Sequence, residues 1–68
     1  MSWIPCDTRM PPADELVLIS IVDRQDIARA DVGRWDDERW SWYDDEFGHF
    51  APRIAVVAWQ PLPGPYQP

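Results

Sequence analysis

Cys6 is the only cysteine of this chain, and this limits what the chain can fold into more than any other feature does. One thiol cannot close an intramolecular disulfide, and the single histidine, His49, leaves no cysteine–histidine cluster for a structural zinc. A chain of 68 residues buries only about 60% of its unfolded surface, so its core must be filled efficiently. Five tryptophans can fill it, because each buries about 150–250 Å². We therefore expect one domain with an aromatic core and with neither metal nor cofactor.

Four short segments carry β-branched, aromatic or alternating apolar residues, and they predict strands at residues 16–22, 27–35, 39–43 and 54–59. Short polar turns separate the first three. The fold class that follows is mainly β: a small single-domain antiparallel meander of about four strands with extended Pro-rich termini. We divide residues 1–68 into an extended N-terminal segment (1–14), a sheet (15–60) and a Pro-rich tail (61–68) in polyproline conformation.

Alternation also predicts which side of each strand is buried. In the second strand the inward residues would be Ala28, Ala30 and Val32, with a bulge at Gly33. In the third strand Trp40 and Trp42 would share a face. Acids, a glycine and a proline make residues 44–52 a predicted loop, with His49 at its surface.

The predicted first strand is apolar on both faces, and this raises the question of what covers it. We expect Trp3 and Trp59 to pack together and to fold both termini over one face. The other face would stay open, and monomers seldom expose a patch larger than a few hundred Å², so a homodimer is expected. Cys6 is interpreted as a small buried apolar side chain rather than a nucleophile.

Several short motifs occur in a recognisable order. They are Trp-Ile-Pro-Cys at residues 3–6, Arg-Met-Pro at 9–11, Val-Leu-Ile at 17–19 and Trp-Gln-Pro-Leu-Pro at 59–63. Together they resemble family 551 of the domains of unknown function, which are short proteins of phages and prophages. Cys6, Met10 and Ala58 stand where that family has Val, Leu and His, and the last departure weakens a ligand or base role for that histidine. The resemblance implies a mobile-element origin and a small β domain, and it implies no activity.

The net charge of −6 restricts the partner. Nucleic acids and anionic membranes both need a basic protein surface, so we expect neither as a partner. No apolar run is long enough to cross a bilayer, and no basic start followed by an apolar stretch is typical of a secretory signal. All six basic residues are arginine, which suits a GC-rich genome. A cytoplasmic protein of a bacterial host is the expectation.

The acids concentrate in two triplets, at residues 36–38 and 44–46, which with Arg39 carry −5 of the net −6 (six acids and one arginine). Neither triplet alternates its oxygen ligands around a glycine as a calcium loop does, and solvated acids lack the raised pKa of a glycosidase pair. A surface for a basic protein partner is the third interpretation, because charged residues around tryptophans are typical of interface hot spots. Its candidate residues are Asp36, Asp37, Glu38, Trp40, Trp42, Asp44, Asp45 and Glu46. Ordinary solvated turns explain the same pattern about equally well.

The functional hypothesis is a non-enzymatic phage- or prophage-encoded module that binds a host protein through this acidic, Trp-bearing hairpin. CRISPR inhibitors act in this way, and an acidic surface suits competition for a site built to hold nucleic acid. The alternative is a structural or assembly accessory whose homo-oligomerisation is its main role. The Pro65–Pro68 spacing of the tail would also fit an SH3-type groove, although an extended clasp is the preferred interpretation.

Overall fold

The structure, a computed structural model, describes residues 2–63 and contains one antiparallel sheet. Its strands are β1 (Ile4–Pro5), β2 (Val17–Val22), β3 (Ala28–Asp36), β4 (Ser41–Asp44), β5 (His49–Pro52) and β6 (Val56–Pro61). A 3₁₀ turn, Arg53–Ala55, joins the last two. The spatial order is β1-β6-β2-β3-β4-β5. The mainly β, antiparallel class predicted from the sequence is confirmed, with six strands rather than about four. Within the described residues no helix is long and apolar enough to cross a membrane.

The two additional strands lie where the sequence predicts loop or extended chain. β5 falls inside the predicted loop 44–52, because its short sequence forms a strand only through pairing with β4. Its Pro52 is tolerated because β5 is an edge strand, where a missing N–H does not interrupt a ladder. β1 has two residues and pairs with β6 on the opposite edge, with Ile4 across from Trp59.

Gly33 is the residue of β3 at which the pairing passes from one neighbouring strand to the other. The first part of β3 pairs with β2 and the last part with β4, and Gly33 alone belongs to both ladders, opposite Val17 and Asp44. A flat sheet would place β5 roughly 19 Å from β6, four strand spacings away. The three-residue 3₁₀ turn that connects them advances only about 2 Å per residue, so the sheet must curl around its buried face. The predicted bulge at Gly33 is wrong, because the pairing register shifts elsewhere, between Ser20 and Ile21 opposite β6.

The buried side of β3 is the reverse of the prediction. Asp31, Gly33 and Trp35 face the core, whereas Ala28 and Ala30 are exposed. The sequence predicted that the alanines point inward because they are less polar than the residues that alternate with them, Arg29 and Asp31. The structure instead buries Asp31 beside another carboxylate and pairs it with an arginine, and such partners make a buried charge tolerable.

Large side chains fill the concave face as expected. The buried cluster consists of Val17, Ile19, Ile21, Trp35, Trp42, Ala51, Val56 and Trp59. The burial of Trp59 is confirmed, and its indole N–H donates to the Arg9 carbonyl at 2.9 Å. The predicted packing of Trp3 into the core is wrong, since Trp3 is 40% exposed.

Among residues 2–63, the N-terminal segment covers the core. Met10 packs against the buried cluster, Pro11 is buried, and the Asp14 N–H donates to the Trp35 carbonyl at 2.9 Å. Leu62, beyond the end of β6, is 38% exposed. The predicted polyproline tail and the Pro65–Pro68 spacing fall largely or wholly at residues 64–68, outside the described residues.

Candidate functional site

The two acidic triplets lie at opposite ends of β4, as the sequence predicts. The first spans the end of β3 and the turn into β4, and the second spans the end of β4 and the turn into β5. We call residues 36–40 the Trp40 turn. The two triplets differ in what their carboxylates do, and this difference decides which of them can meet a partner.

Hydrogen bonds inside the Trp40 turn fix its shape. Asp36 Oδ1 accepts the N–H groups of Glu38 and Arg39, each at 3.0 Å. Asp37 Oδ1 accepts the indole N–H of Trp35 at 2.7 Å. The Glu38 carboxylate is exposed and takes part in no hydrogen bond or ion pair among residues 2–63. The first triplet therefore shapes a rigid turn and leaves its negative charge at the surface.

Trp40 projects from this turn into solvent. Its side chain is 62% exposed and its backbone has a φ of 53°, in the left-handed region that bulky residues rarely adopt. The ring lies edge-on to Trp35 with centroids 5.1 Å apart, and the Arg53 guanidinium carbon lies 5.9 Å from its centre. Such backbone strain costs on the order of 1–3 kcal/mol and persists only where surrounding contacts hold it. Trp40 is thus an exposed aromatic side chain held in place by its neighbours.

Trp42 does not share this surface, although the sequence predicts that it does. It is 0% exposed and packs edge-on against Trp35 with centroids 5.4 Å apart. β4 begins at Ser41, so Trp40 lies in the turn and the period of two does not link the two tryptophans. Trp42 is a core residue and cannot contact a partner.

The carboxylates of the second triplet bond within the fold. Asp44 is 0% exposed, and its Oδ1 accepts the N–H groups of Glu46 and Phe47 at 3.0 and 3.2 Å. Asp45 forms a two-pronged pair with Arg34, at 2.6 and 3.2 Å. Glu46 Oε1 accepts the Val32 N–H at 3.1 Å. The prediction that these acids are merely solvated is therefore wrong for Asp44, and all three stabilise the β4–β5 connection.

Asp44 of this triplet also belongs to a buried carboxylate pair that the sequence does not predict. Asp31 and Asp44 are 3% and 0% exposed, and Arg29 reaches both, with Nε 3.0 Å from Asp31 and Nη2 3.7 Å from Asp44. Burial and a hydrogen bond with Asp44 raise the pKa of Asp31. Burial also acts to raise the pKa of Asp44, but hydrogen bonds from Asp31 and the Phe47 and Glu46 N–H groups lower it overall. The two pKa values move apart because two adjacent carboxylates seldom ionise together, so Asp31 is the group that keeps its proton to the higher pH.

This pair is closed to a substrate, because almost none of either side chain reaches the surface. The pair therefore has a structural role. His49 lies on β5 rather than in a loop; it is exposed and stacks on Phe47 with ring centroids 6.2 Å apart. Among residues 2–63, no three His, Cys, Asp or Glu side chains are grouped to hold a metal ion.

Comparison with known proteins gives one match. A family model described as "Protein of unknown function (DUF551)" matches residues 2–67, nearly the whole chain. Neither a curated protein nor a solved structure matches the chain.

Proposed function

This chain belongs to the DUF551 family, whose function is unknown, and we propose that it acts as a non-enzymatic protein-interaction module centred on the Trp40 turn. The single observation that carries the proposal is Trp40 itself, 62% exposed and fixed at a positive φ. Tryptophan is among the residues most enriched at interface hot spots. An aromatic side chain that is already ordered loses little conformational entropy on binding, so more of its contact energy is retained as affinity.

The Trp40 turn carries three acids and Arg39, a net charge of −2, which supports a basic partner even though the Arg53 guanidinium rests against the Trp40 ring. Asp36, Asp37 and Glu38 stand on the same turn, and Glu38 has no internal partner in the part of the chain that the structure describes. A net charge of −6 adds a long-range field that would accelerate encounter with a positive surface. The second triplet contributes to this field while its contacts remain internal.

The mobile-element origin implied by the resemblance points to a host protein in the bacterial cytoplasm as the partner. Within that setting, an acidic turn carrying a tryptophan suits a basic site that normally holds nucleic acid, in a defence protein or another nucleic-acid-binding protein. The module would occupy that site and block it. Its contact would then depend on both the ring of Trp40 and the charge of the turn.

Affinity capture from a bacterial lysate, followed by binding measurements on the captured protein, tests this proposal. Trp40→Ala should weaken binding at least about tenfold, as a hot-spot residue does. Ile27→Ala is the matched control, because Ile27 is also an exposed apolar side chain (59%) in a turn next to β3. Equal loss in the two variants, or full binding by Trp40→Ala, would contradict a Trp40-centred interface.

Homo-oligomerisation in a structural or assembly role is the alternative, and one feature favours it. The convex face of β2 and β3 presents a small apolar patch of half-buried and exposed side chains, comprising Leu18, Val22, Ala28, Ala30 and Val32. Light scattering over a range of concentrations would detect the dimer. Ala30→Glu, at an exposed position in the middle of that patch, should dissociate it without unfolding the domain. A monomer at all concentrations would remove this alternative.

A further inference from the structure

A cleft opens between the N-terminal segment and the start of β6. Its volume is about 250 Å³, and it is lined by Cys6, Asp7, Arg53, Ile54, Val56 and Val57. The Cys6 N–H donates to the Val57 carbonyl at 3.0 Å and closes one side. We call it the Arg53 cleft.

The rim of the Arg53 cleft is apolar and exposed. Ile54, in the 3₁₀ turn, is 84% exposed, and Val57 is 49% exposed. Val57 points outward because the register of β2 against β6 skips it, with Ala58 paired to Ser20 and Val56 to Ile21. Two branched aliphatic side chains that line the same cleft as Arg53 are thus exposed to solvent, and a ligand that covered them would bury apolar area.

Arg53 is the cation of this cleft, and its charge is not compensated. Arg29, Arg34 and Arg39 each lie within 4.0 Å of a carboxylate, whereas Arg53 forms no such ion pair within residues 2–63. Its guanidinium rests against the Trp40 ring, and its Nε is buried without an acceptor among the described residues. A partly desolvated cation has already lost hydration, so an anion that pairs with it meets a smaller remaining penalty.

Asp7 lines the same cleft and carries a charge opposite to that of Arg53. The effects of the two charges on the pKa of the Cys6 thiol show which of them acts more strongly inside the cleft. Burial raises the pKa of Cys6; the positive charge of Arg53 opposes that rise and acts more strongly there than the negative charge of Asp7. The net field of Arg53 and Asp7 at Cys6 therefore favours a negative charge, while burial, the larger effect on Cys6, opposes it.

We propose that the Arg53 cleft binds a carboxylate carried on a small aliphatic group, with Arg53 pairing with the carboxylate and Ile54 and Val57 covering the aliphatic part. The C-terminal residue of a protein and a free short-chain carboxylic acid share this chemistry. Arginine suits the role because its planar fork of N–H donors matches a carboxylate. The site does not rest on the interaction proposed for the Trp40 turn, since a small ligand needs no contact with the acidic triplet.

A titration of the native protein followed by ¹⁵N-NMR tests the site, with 3-methylbutanoate and its uncharged analogue 3-methylbutanamide as probes. The acid should shift the amide signals of Cys6 and Val57 and bind at least about tenfold more tightly than the amide, since a hydrogen bond to a charged group contributes about 1.5–3 kcal/mol. Equal binding of the two probes, or no saturable shift at these signals with the acid, would overturn the proposal. This comparison needs no variant, so it stands even if a substitution in the 3₁₀ turn unfolds the domain.

Two further arms identify the cation and the source of the carboxylate. Arg53→Gln should abolish the preference for the acid, whereas Arg24→Gln, the same charge change at an exposed turn residue, should retain it. Loss of the preference in both variants would mean that net charge rather than the Arg53 cleft attracts the acid, and would overturn the assignment.

N-acetyl-glycyl-valine with a free or an amidated C-terminus then distinguishes the two sources of the carboxylate. Tighter binding of the free peptide acid than of 3-methylbutanoate identifies a protein C-terminus, and weaker or equal binding identifies a small free acid.

Discussion

Gly33 lies so close to Tyr43 that a Cβ atom on Gly33 would stand 2.7 Å from the Tyr43 carbonyl oxygen. The same atom would come within 2.9 Å of Ile19 Cδ1. The first contact is with backbone, which cannot move aside without disturbing the pairing of β3 with β4. A strand glycine of this kind permits another backbone to approach closely, and Gly33 is the residue of β3 that pairs with both β2 and β4.

Gly33→Ala should destabilise the domain by about 1–3 kcal/mol, the usual cost of adding atoms to a packed site. Urea unfolding measures it. Gly48→Ala is the matched control, because a Cβ there has space, with Tyr43 Oη 3.8 Å away, while its φ of 70° disfavours any L side chain. Its cost should be smaller, about 1 kcal/mol. A Gly33→Ala variant as stable as the native protein would show that the close approach is not maintained.

Replacing Trp59 should be far more damaging than replacing Trp3. Trp59 is 3% exposed and donates a hydrogen bond to the segment that covers the core, whereas Trp3 is 40% exposed. We expect Trp59→Ala to cost about 3–5 kcal/mol, which approaches the entire stability of many small domains. Trp3→Ala should cost about 1–2 kcal/mol. Thermal and urea unfolding of both variants would check this order, and a reversed order would mean that the N-terminal tryptophan holds the core after all.

Local pattern was enough to predict β2, the turn that follows it and the burial of Trp59, because these features depend on short-range composition. β5 was missed since His-Phe-Ala-Pro has no strand signal of its own and becomes a strand only beside β4. The inverted face of β3 has a different cause. An alternating pattern says which residues share a side, but a buried Asp31 becomes acceptable only with Asp44 and Arg29 beside it.

The sequence likewise predicted the positions of the acidic triplets but not the contacts that their side chains make. The positions of the triplets at the two ends of β4 follow from turn chemistry, which the sequence displays. Sequence alone does not show that Asp44 accepts two N–H groups or that Asp45 pairs with Arg34, since each contact depends on how the β4–β5 turn folds back. The Arg53 cleft likewise depends on the chain segments around Cys6 and Val57 meeting through tertiary pairing.

The opposite pKa shifts of Asp31 and Asp44 predict opposite pH dependences for the two groups. The pKa of Asp31 is raised in the folded protein, so its stabilising contribution is complete below the unfolded value of about 3.9 and is lost as the pH rises through the raised pKa. The pKa of Asp44 is lowered, so its contribution is present above about 3.9 and is lost as the pH falls through the lowered pKa.

Asp31→Asn isolates the first of these effects. The amide can still donate to Asp44 but cannot ionise, so the variant should gain stability relative to the native protein as the pH rises above about 4, and the difference should then level off. Urea unfolding at intervals between pH 3 and 8 measures it. Asp37→Asn is the control, because Asp37 is exposed and its amide oxygen can still accept the Trp35 N–H. A difference for Asp31→Asn that does not vary with pH would show that no proton is held there.

The charge of the Trp40 turn can be removed with little effect on folding, and this allows a sharper test of the proposed interface than neutralising both triplets. Changing Asp44 or Asp45 would disturb a buried carboxylate or an ion pair, so a loss of binding would be ambiguous.

Glu38→Gln combined with Asp37→Asn removes two charges and leaves an acceptor for the Trp35 N–H, so stability should change by less than about 0.5 kcal/mol. The double variant should bind the captured host protein more slowly, and raising the salt concentration should slow the native protein in the same way, because screening weakens long-range attraction. Glu15→Gln with Asp26→Asn is the matched control: it removes two exposed charges outside the turn, and a similar slowing would assign the effect to net charge. Unchanged association of the Glu38→Gln and Asp37→Asn variant, at low and high salt alike, would contradict an electrostatic role for this turn and leave the Trp40 ring as the only part of the proposed interface still to be tested.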